Sequence, residues 1–335
     1  MYNLLKGLKP YLKRQEIVID GPVFRIHSTF TTVLLAVYSM IITWTQFVGQ
    51  PIKCLASKAV AKNVINTYCW IMSTFLMPDG FGRPYGQIAH PGVSNDLGDN
   101  TPRKYYTYYQ WVCFVLFFQA LLCYFPKWIW QSWERNLMFT IVCGLNTGLR
   151  TEQEKNQKKG ILLDYLVRHL NKHNMYVYRY WCCELMCFVN ILMQMLLMNW
   201  FFDGDFMNYG LKVVAFDDED QSNRIDHMIY VFPRVTKCIF RKYGPGASIE
   251  KHDAICLLPL NIVNEKTYIF ICPAFRFRLM HAHNKMVSEE AALLLSRRLS
   301  MGDWWILHML GQNMDPQVFK EVISQFAEKV DTMGK

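Results

Sequence analysis

The sequence predicts a mainly α, polytopic helical membrane protein with disulfide-tied extracellular loops and a helical cytoplasmic domain. Three observations predict it: three long stretches nearly free of charge, aromatic side chains at the ends of those stretches, and a lysine and arginine bias that places four cysteines in an oxidising compartment. Composition agrees. Of 335 residues, 52% are hydrophobic, 15% aromatic and only 19% charged, too few charges to coat two soluble domains. A mean hydropathy of +0.04 points to a few spans joined by sizeable polar segments. The formal charge of +9 comes from basic residues that flank apolar runs. With no zinc-finger spacing, arginine-rich tract or basic helix, that charge orients the chain in a membrane rather than binding nucleic acid.

The first span covers 28–48, STFTTVLLAVYSMIITWTQFV, inside a stretch from Arg25 to Lys53 with no internal charge. At about 1.5 Å per residue it crosses the roughly 30 Å hydrocarbon layer. The second covers 105–126. Tyrosines open it, Trp128, Trp130 and Trp133 lie just beyond its end, and Pro126 is expected to kink or terminate the helix. The third covers 180–202 and holds one charge, Glu184, within a turn of its start, where an interfacial position is expected.

Orientation follows from Lys and Arg counts. The amino-terminal segment 1–27 carries five, the segment 127–179 carries nine, and 49–104, of similar length to the latter, carries six. The amino terminus and 127–179 are therefore expected in the cytoplasm, with 49–104 and 203–266 outside. No cleavable signal peptide is expected, because the first apolar run is of full span length and follows a long polar segment. This topology puts Cys54, Cys69, Cys238 and Cys256 outside, two in each outer segment, where they allow two disulfides in any of three pairings. Cys113, Cys123, Cys143, Cys182, Cys183 and Cys187 lie inside apolar runs and read as small hydrophobes.

Gly80, Gly82, Pro84 and Gly86, and again Gly244, Pro245 and Gly246, read as turns; the first run lacks the lysine of a phosphate-cradling loop. The acidic run Asp217 to Asp220 reads as a solvated cluster rather than a calcium loop. Catalytic motifs are lacking: there is no nucleophile elbow, HExxH or paired CxxC, and His281 and His283 with Cys272 form the nearest candidate metal cluster. An enzyme is not expected, nor is any cofactor.

The block Tyr108-Tyr109-Gln110-Trp111-Val112 at the head of the second span, with Pro126 at its far end, resembles the signature of the innexins, the invertebrate gap-junction channel subunits. VGQPI at 48–52, TYCW at 67–70, VFPRVTKC at 231–238, HDAICLLPLNIVNEKTY at 252–268 and GDWW at 302–305 are similar to that family as well. The resemblance covers nearly the whole chain. It implies bridges Cys54 with Cys256 and Cys69 with Cys238, and assembly with other innexin subunits in a ring. It also implies docking to a hemichannel of an adjacent cell at a plasma-membrane gap junction, and a pore mouth narrowed by the segment from Met1, Tyr2 and Asn3 to about Lys13.

The chain departs from that pattern at the fourth span, since the apolar run left at 267–275, TYIFICPAF, covers only about 14 Å as a helix and contains Pro273. The tail 276–335 starts with Arg276 and Arg278, which favour the cytoplasm, whereas three crossings would leave it outside. Two functions follow: a subunit of gap junctions or hemichannels passing ions and small molecules, or a channel-incompetent variant that co-assembles with other innexins and modulates them. Within the tail, Asp315-Pro316 marks a helix start, and Val318, Phe319, Val322, Ile323, Phe326 and Val330 share one face.

Overall fold

The structure, a computed structural model, describes residues 17–56, 60–81, 83, 87–88, 90–94, 101–142, 145, 152–206, 228–280 and 299–332. The expected pore-mouth residues Met1, Tyr2 and Asn3, the acidic run 217–220, and His281 and His283 lie outside the described residues, as does the side chain of Cys272. Two compact units are formed, one from Met1–Val33, Leu121–Asn190 and Arg278–Lys335, the other from Leu34–Ala120 and Ile191–Phe277.

Three helices among the described residues are long and apolar enough to cross a membrane: α1 (Pro22–Phe47), α3 (Val112–Glu134) and α6 (Asn174–Phe201). None coincides with its expected span: α1 and α6 begin before theirs, whereas α3 begins at Val112, because Lys104–Tyr106 is a strand, and runs on past Pro126. α1 starts six residues early because Pro22 fits a first helical turn and Arg25 is neutralised by Asp20, 2.9 Å away. Residues Ile26–Phe30 form a π turn. Ser28 Oγ donates to the Phe24 carbonyl, and Thr31 Oγ1 donates to the Ile26 carbonyl, which also accepts the Thr31 N–H that closes the wide turn. α3 continues through Pro126 to Glu134 rather than ending there. A proline removes a single helical hydrogen bond, whereas ending the helix in an apolar environment would strand several backbone groups.

The first unit has its own core. Phe24, Trp130, Tyr180 and Cys183 pack with Leu162 and Leu166 of α5 (Glu152–Arg168), and with Ile306 and Leu310 of α9 (Met301–Asn313). α4 (Leu137–Val142) adds Met138 and Val142. α10 (Pro316–Thr332) starts at the expected Asp315-Pro316 step, and its apolar face buries Val322, Phe326 and Val330 in the same core. Lys159 to Glu321 (2.5 Å) and Lys329 to Asp164 (3.3 Å) tie α10 to α5. The amino-terminal strap joins as well: Trp130 Nε1 donates to the Ile19 carbonyl and Gly21 N–H donates to Tyr180 Oη, both at 2.9 Å.

The second unit contains what the sequence presented only as outer loops. Its strands are β1 (Lys53–Leu55), β2 (Thr74–Leu76), β3 (Lys104–Tyr106), β4 (Val235–Tyr243) and β5 (Ile249–Leu257), flanked by α2 (Lys62–Met72) and the short α7 (Met228–Val231). They form one sheet in the order β1-β5-β4-β2-β3, with every neighbouring pair antiparallel. The glycine-proline run at 244–246 closes the β4–β5 hairpin, where Gly244 N–H donates to the Ser248 carbonyl at 2.8 Å.

After β5 comes α8 (Pro259–Met280), 22 residues long. The expected nine-residue remnant at 267–275 is thus the middle of a longer helix that begins within the expected outer loop and passes Pro273. The sequence stops the apolar run at Lys266 and Arg276, but charge does not stop a helix.

Candidate functional site: a disulfide-tied sheet fastened to the head of a span

The two outer segments are joined by a small core. In β5, Ala254 and Cys256 point inward and alternate with outward Asp253, Ile255 and Leu257, the period-two pattern of a strand with one buried face. Cys54 lies directly opposite Cys256 in the β1–β5 ladder, with the Cα atoms 4.0 Å apart, and the two are bridged. Cys69 on α2 is bridged to Cys238 on β4 across 5.9 Å between Cα atoms. Ile52, Ile65 and Leu258 pack around the four sulfurs, all of which are buried. The opposite face exposes Leu55, Ile255 and Leu257, and the hairpin end exposes Tyr243 and Ile249. Asn66 Oδ1 accepts from Cys54 N–H at 2.8 Å, securing β1 to α2.

The Tyr108 to Val112 block fastens this sheet to α3. Tyr108 Oη donates to the Val231 carbonyl at 2.6 Å, and its ring meets Phe202 and Phe232 at centroid distances of 5.1 and 6.0 Å. Tyr109 is fully buried 4.8 Å from the Trp70 ring, and the Gln110 side-chain amide donates to the Trp70 carbonyl. Val112 is buried at the first turn of α3, while Trp111 stays 60% exposed, an outward aromatic at the end of an apolar helix. Pro126 is buried well down the same helix.

A second anchor holds the base of the hairpin to α8. The Glu265 carboxylate is fully buried and receives Arg234 at 2.8 Å and Lys266 at 2.8 Å. Asn261 Nδ2 donates to the Pro233 carbonyl at 2.9 Å. These residues lie in the family-like blocks 231–238 and 252–268, but nothing local in the sequence pairs Arg234 with Glu265. The alternation in β4 and β5 around a Gly-Pro-Gly turn was the available signal for the hairpin. Glu184 is exposed and sits ten residues into α6, because that helix starts at Asn174.

Exposed Phe114, Phe117, Phe118, Leu121 and Phe125 on α3, with Leu185, Phe188, Leu192 and Leu196 on α6, give apolar surfaces that only lipid or another apolar face could cover. These helices and the bridged sheet define a helical membrane protein with a rigid, disulfide-tied external layer. The innexin family model matches residues 20–272 and 269–330. Innexin inx1 of Schistocerca americana is 55% identical over 356 aligned residues, covering 99% of this chain and 98% of the relative. Innexin inx1 of Drosophila melanogaster is 53% identical, covering 99% and 98%, and innexin shaking-B of the same fly is 43% identical, covering 98% and 95%. The chain belongs to the innexin family, whose members are subunits of gap-junction channels. The two matched segments meet at 269–272, inside α8, and the alignment of 356 positions is longer than the 335-residue chain.

Proposed function

We propose that this chain is a gap-junction or hemichannel subunit that assembles in a ring with other innexin subunits and passes ions and small molecules. The bridged sheet is the face that meets a hemichannel of the adjacent cell. A docking surface must be ordered before contact, or the ordering entropy is subtracted from its affinity. Two bridges, a shared core and the outward Leu55, Ile255 and Leu257 supply that order and an apolar contact face. No enzymatic role is proposed. The amino-terminal segment from Met1, Tyr2 and Asn3 is assigned to the pore mouth by resemblance.

The observation that carries a channel-competent reading is the place of the tail. After three crossings the chain is on the outer side, yet α9 and α10 share a core with α5 of the 127–179 segment and with the amino-terminal strap. Asn171 N–H and His173 Nδ1 are hydrogen bonded to Asp303 at 2.8 and 2.7 Å. A return crossing between Phe201 and Ser300 reconciles these two observations, and α8, at about 33 Å, has the length for it. Pairing of Glu265 with Arg234 compensates one of its charges. The amino terminus, the 127–179 segment and the tail then share the cytoplasmic side, as their Lys and Arg content favours.

The test is expression of this chain alone in paired cells that lack endogenous coupling. Transfer of current and of a small dye is expected. Absence of both, with the protein present at the surface and a tag beside Trp304 accessible only from inside, would overturn the channel reading and favour the modulating variant.

A further inference from the structure

The helix ends of the first unit border a solvent-open cavity of about 360 Å³ that the channel reading does not use. It lies where α3 ends and α6 begins, with Trp133 and Glu134 on one side and Tyr176 and Arg179 on the other. Three cations line it: Arg135, Lys172 and Arg179. All three are exposed, and none makes an ion pair among the described residues. Two come from turns in the left-handed backbone region, with φ of 50° at Arg135 and 64° at Asn171, next to Lys172. The Asn171 turn is held by its N–H bond to Asp303.

The other polar groups of the cavity are already committed, with one exception. Glu134 Oε1 accepts from Met138 N–H at 2.6 Å. The His173 ring is engaged at both nitrogens, by Asp303 at 2.7 Å and by Tyr165 Oη at 3.2 Å. The Tyr176 hydroxyl is buried and makes no hydrogen bond among the described residues, in a side chain only 9% exposed. Three cations against one carboxylate leave two positive charges. A phosphomonoester carries about −1.5 to −2 at neutral pH and offers acceptors that an unpaired hydroxyl and two guanidinium groups can meet.

We propose that this cavity binds a phosphate-bearing head group, held by Arg135, Lys172, Arg179 and the Tyr176 hydroxyl. Cationic pockets at the cytoplasmic ends of membrane helices suit anionic phospholipid head groups, and a soluble inositol phosphate presents the same chemistry. The cytoplasmic assignment rests on the orientation proposed above.

The full chain in nanodiscs, where both faces are open to solvent, is titrated with phosphatidylinositol 4-phosphate in a neutral phosphatidylcholine background, and separately with soluble inositol trisphosphate. Saturable binding is expected. Roughly a fivefold contribution per cation predicts that R135Q/K172Q/R179Q binds about a hundredfold more weakly. A control with the same charge change elsewhere on the unit, K155Q/R168Q/K320Q, which leaves the Lys159–Glu321 and Lys329–Asp164 ties in place, should bind as the parent does. Tyr176→Phe, which keeps the ring packing, should bind several-fold more weakly and covers the case in which the triple variant misfolds. Binding of the lipid alone assigns the site to the membrane; binding of both assigns it to the shared phosphate group. Absence of saturable binding by the parent, or equal losses in the cavity and control triples, would overturn the proposal. Neither result depends on cell coupling, so it can fail while the channel reading stands, and the reverse.

Discussion

Removing the Cys54–Cys256 bridge by the double substitution C54S/C256S tests whether the two bridges act as nested clasps on one core. The bridges close separations of 202 and 169 residues, one inside the other, and these differ by 33. With Cys69–Cys238 intact, the outer bridge therefore closes an effective ring of about 33 residues rather than 202. The chain-entropy relation gives about 4 kcal/mol for a ring of that size and about 5 kcal/mol for the full separation. Loss of either bridge alone should cost about 4 kcal/mol, and loss of both about 9 kcal/mol, more than twice the single loss. Membrane anchoring of the flanking helices already restrains the reference state, so these are upper values, but the ordering of single and double losses survives. The assay is thermal stability of detergent-solubilised protein, followed by size-exclusion recovery, for the parent, C54S/C256S, C69S/C238S and the four-serine chain. A four-serine chain no less stable than either two-serine chain would refute nesting. Unchanged stability in both two-serine chains would refute the bridged core itself.

Gly302→Ala places a Cβ 2.3 Å from the His173 carbonyl carbon and 2.5 Å from Asn174 N, backbone atoms that cannot swing aside, so a loss of about 3 kcal/mol or more and reduced surface expression are expected. Arg234→Ala leaves buried Glu265 with the exposed Lys266 as its remaining cation and should cost about 2 kcal/mol, discounted for the partial exposure of Arg234, measured by the same thermal assay. Burial by itself would raise the Asp303 carboxyl, but hydrogen bonds from His173, Asn171 N–H and Ser300 outweigh it and hold Asp303 below the usual carboxylate range. Its stabilising contribution is therefore complete above the unfolded value of about 3.9 and fades as pH falls through the lower folded value. The stability gap between parent and Asp303→Asn should accordingly close as pH falls below the unfolded carboxyl value, read by a pH series of melting curves.

The spans were legible because a bilayer demands an uninterrupted apolar run, a property of adjacent residues. Their ends were less legible, because the charges there are cancelled by partners remote in sequence. Arg25 is admitted to α1 by Asp20, and Glu265 to α8 by Arg234. The outer sheet was missed for a related reason. β1 and β2 are three residues each and acquire meaning only beside β5 and β4, which follow far along the chain. In the Tyr108 to Val112 block the aromatic content was visible, but its division into anchors and an outward Trp111 needed the neighbours. Arg135, Lys172 and Arg179 were counted only as orienting charges, since nothing local in the sequence brings three separated cations to one cavity.

The interleaved strand order also sets a timetable for making the protein. β2 and β3 pair within the first outer part of the chain, but β1 and the other edge of β2 have their partners in the second outer segment, so the layer cannot be completed until the ribosome has reached β4 and β5. At typical synthesis rates, the 202 residues between Cys54 and Cys256 take roughly 10 to 40 s. Throughout most of that interval neither Cys54 nor Cys69 has its native partner, since Cys256 and Cys238 are made last. A nascent subunit therefore depends on late, correct oxidation, and a half-made chain has no finished surface with which to engage a neighbour prematurely.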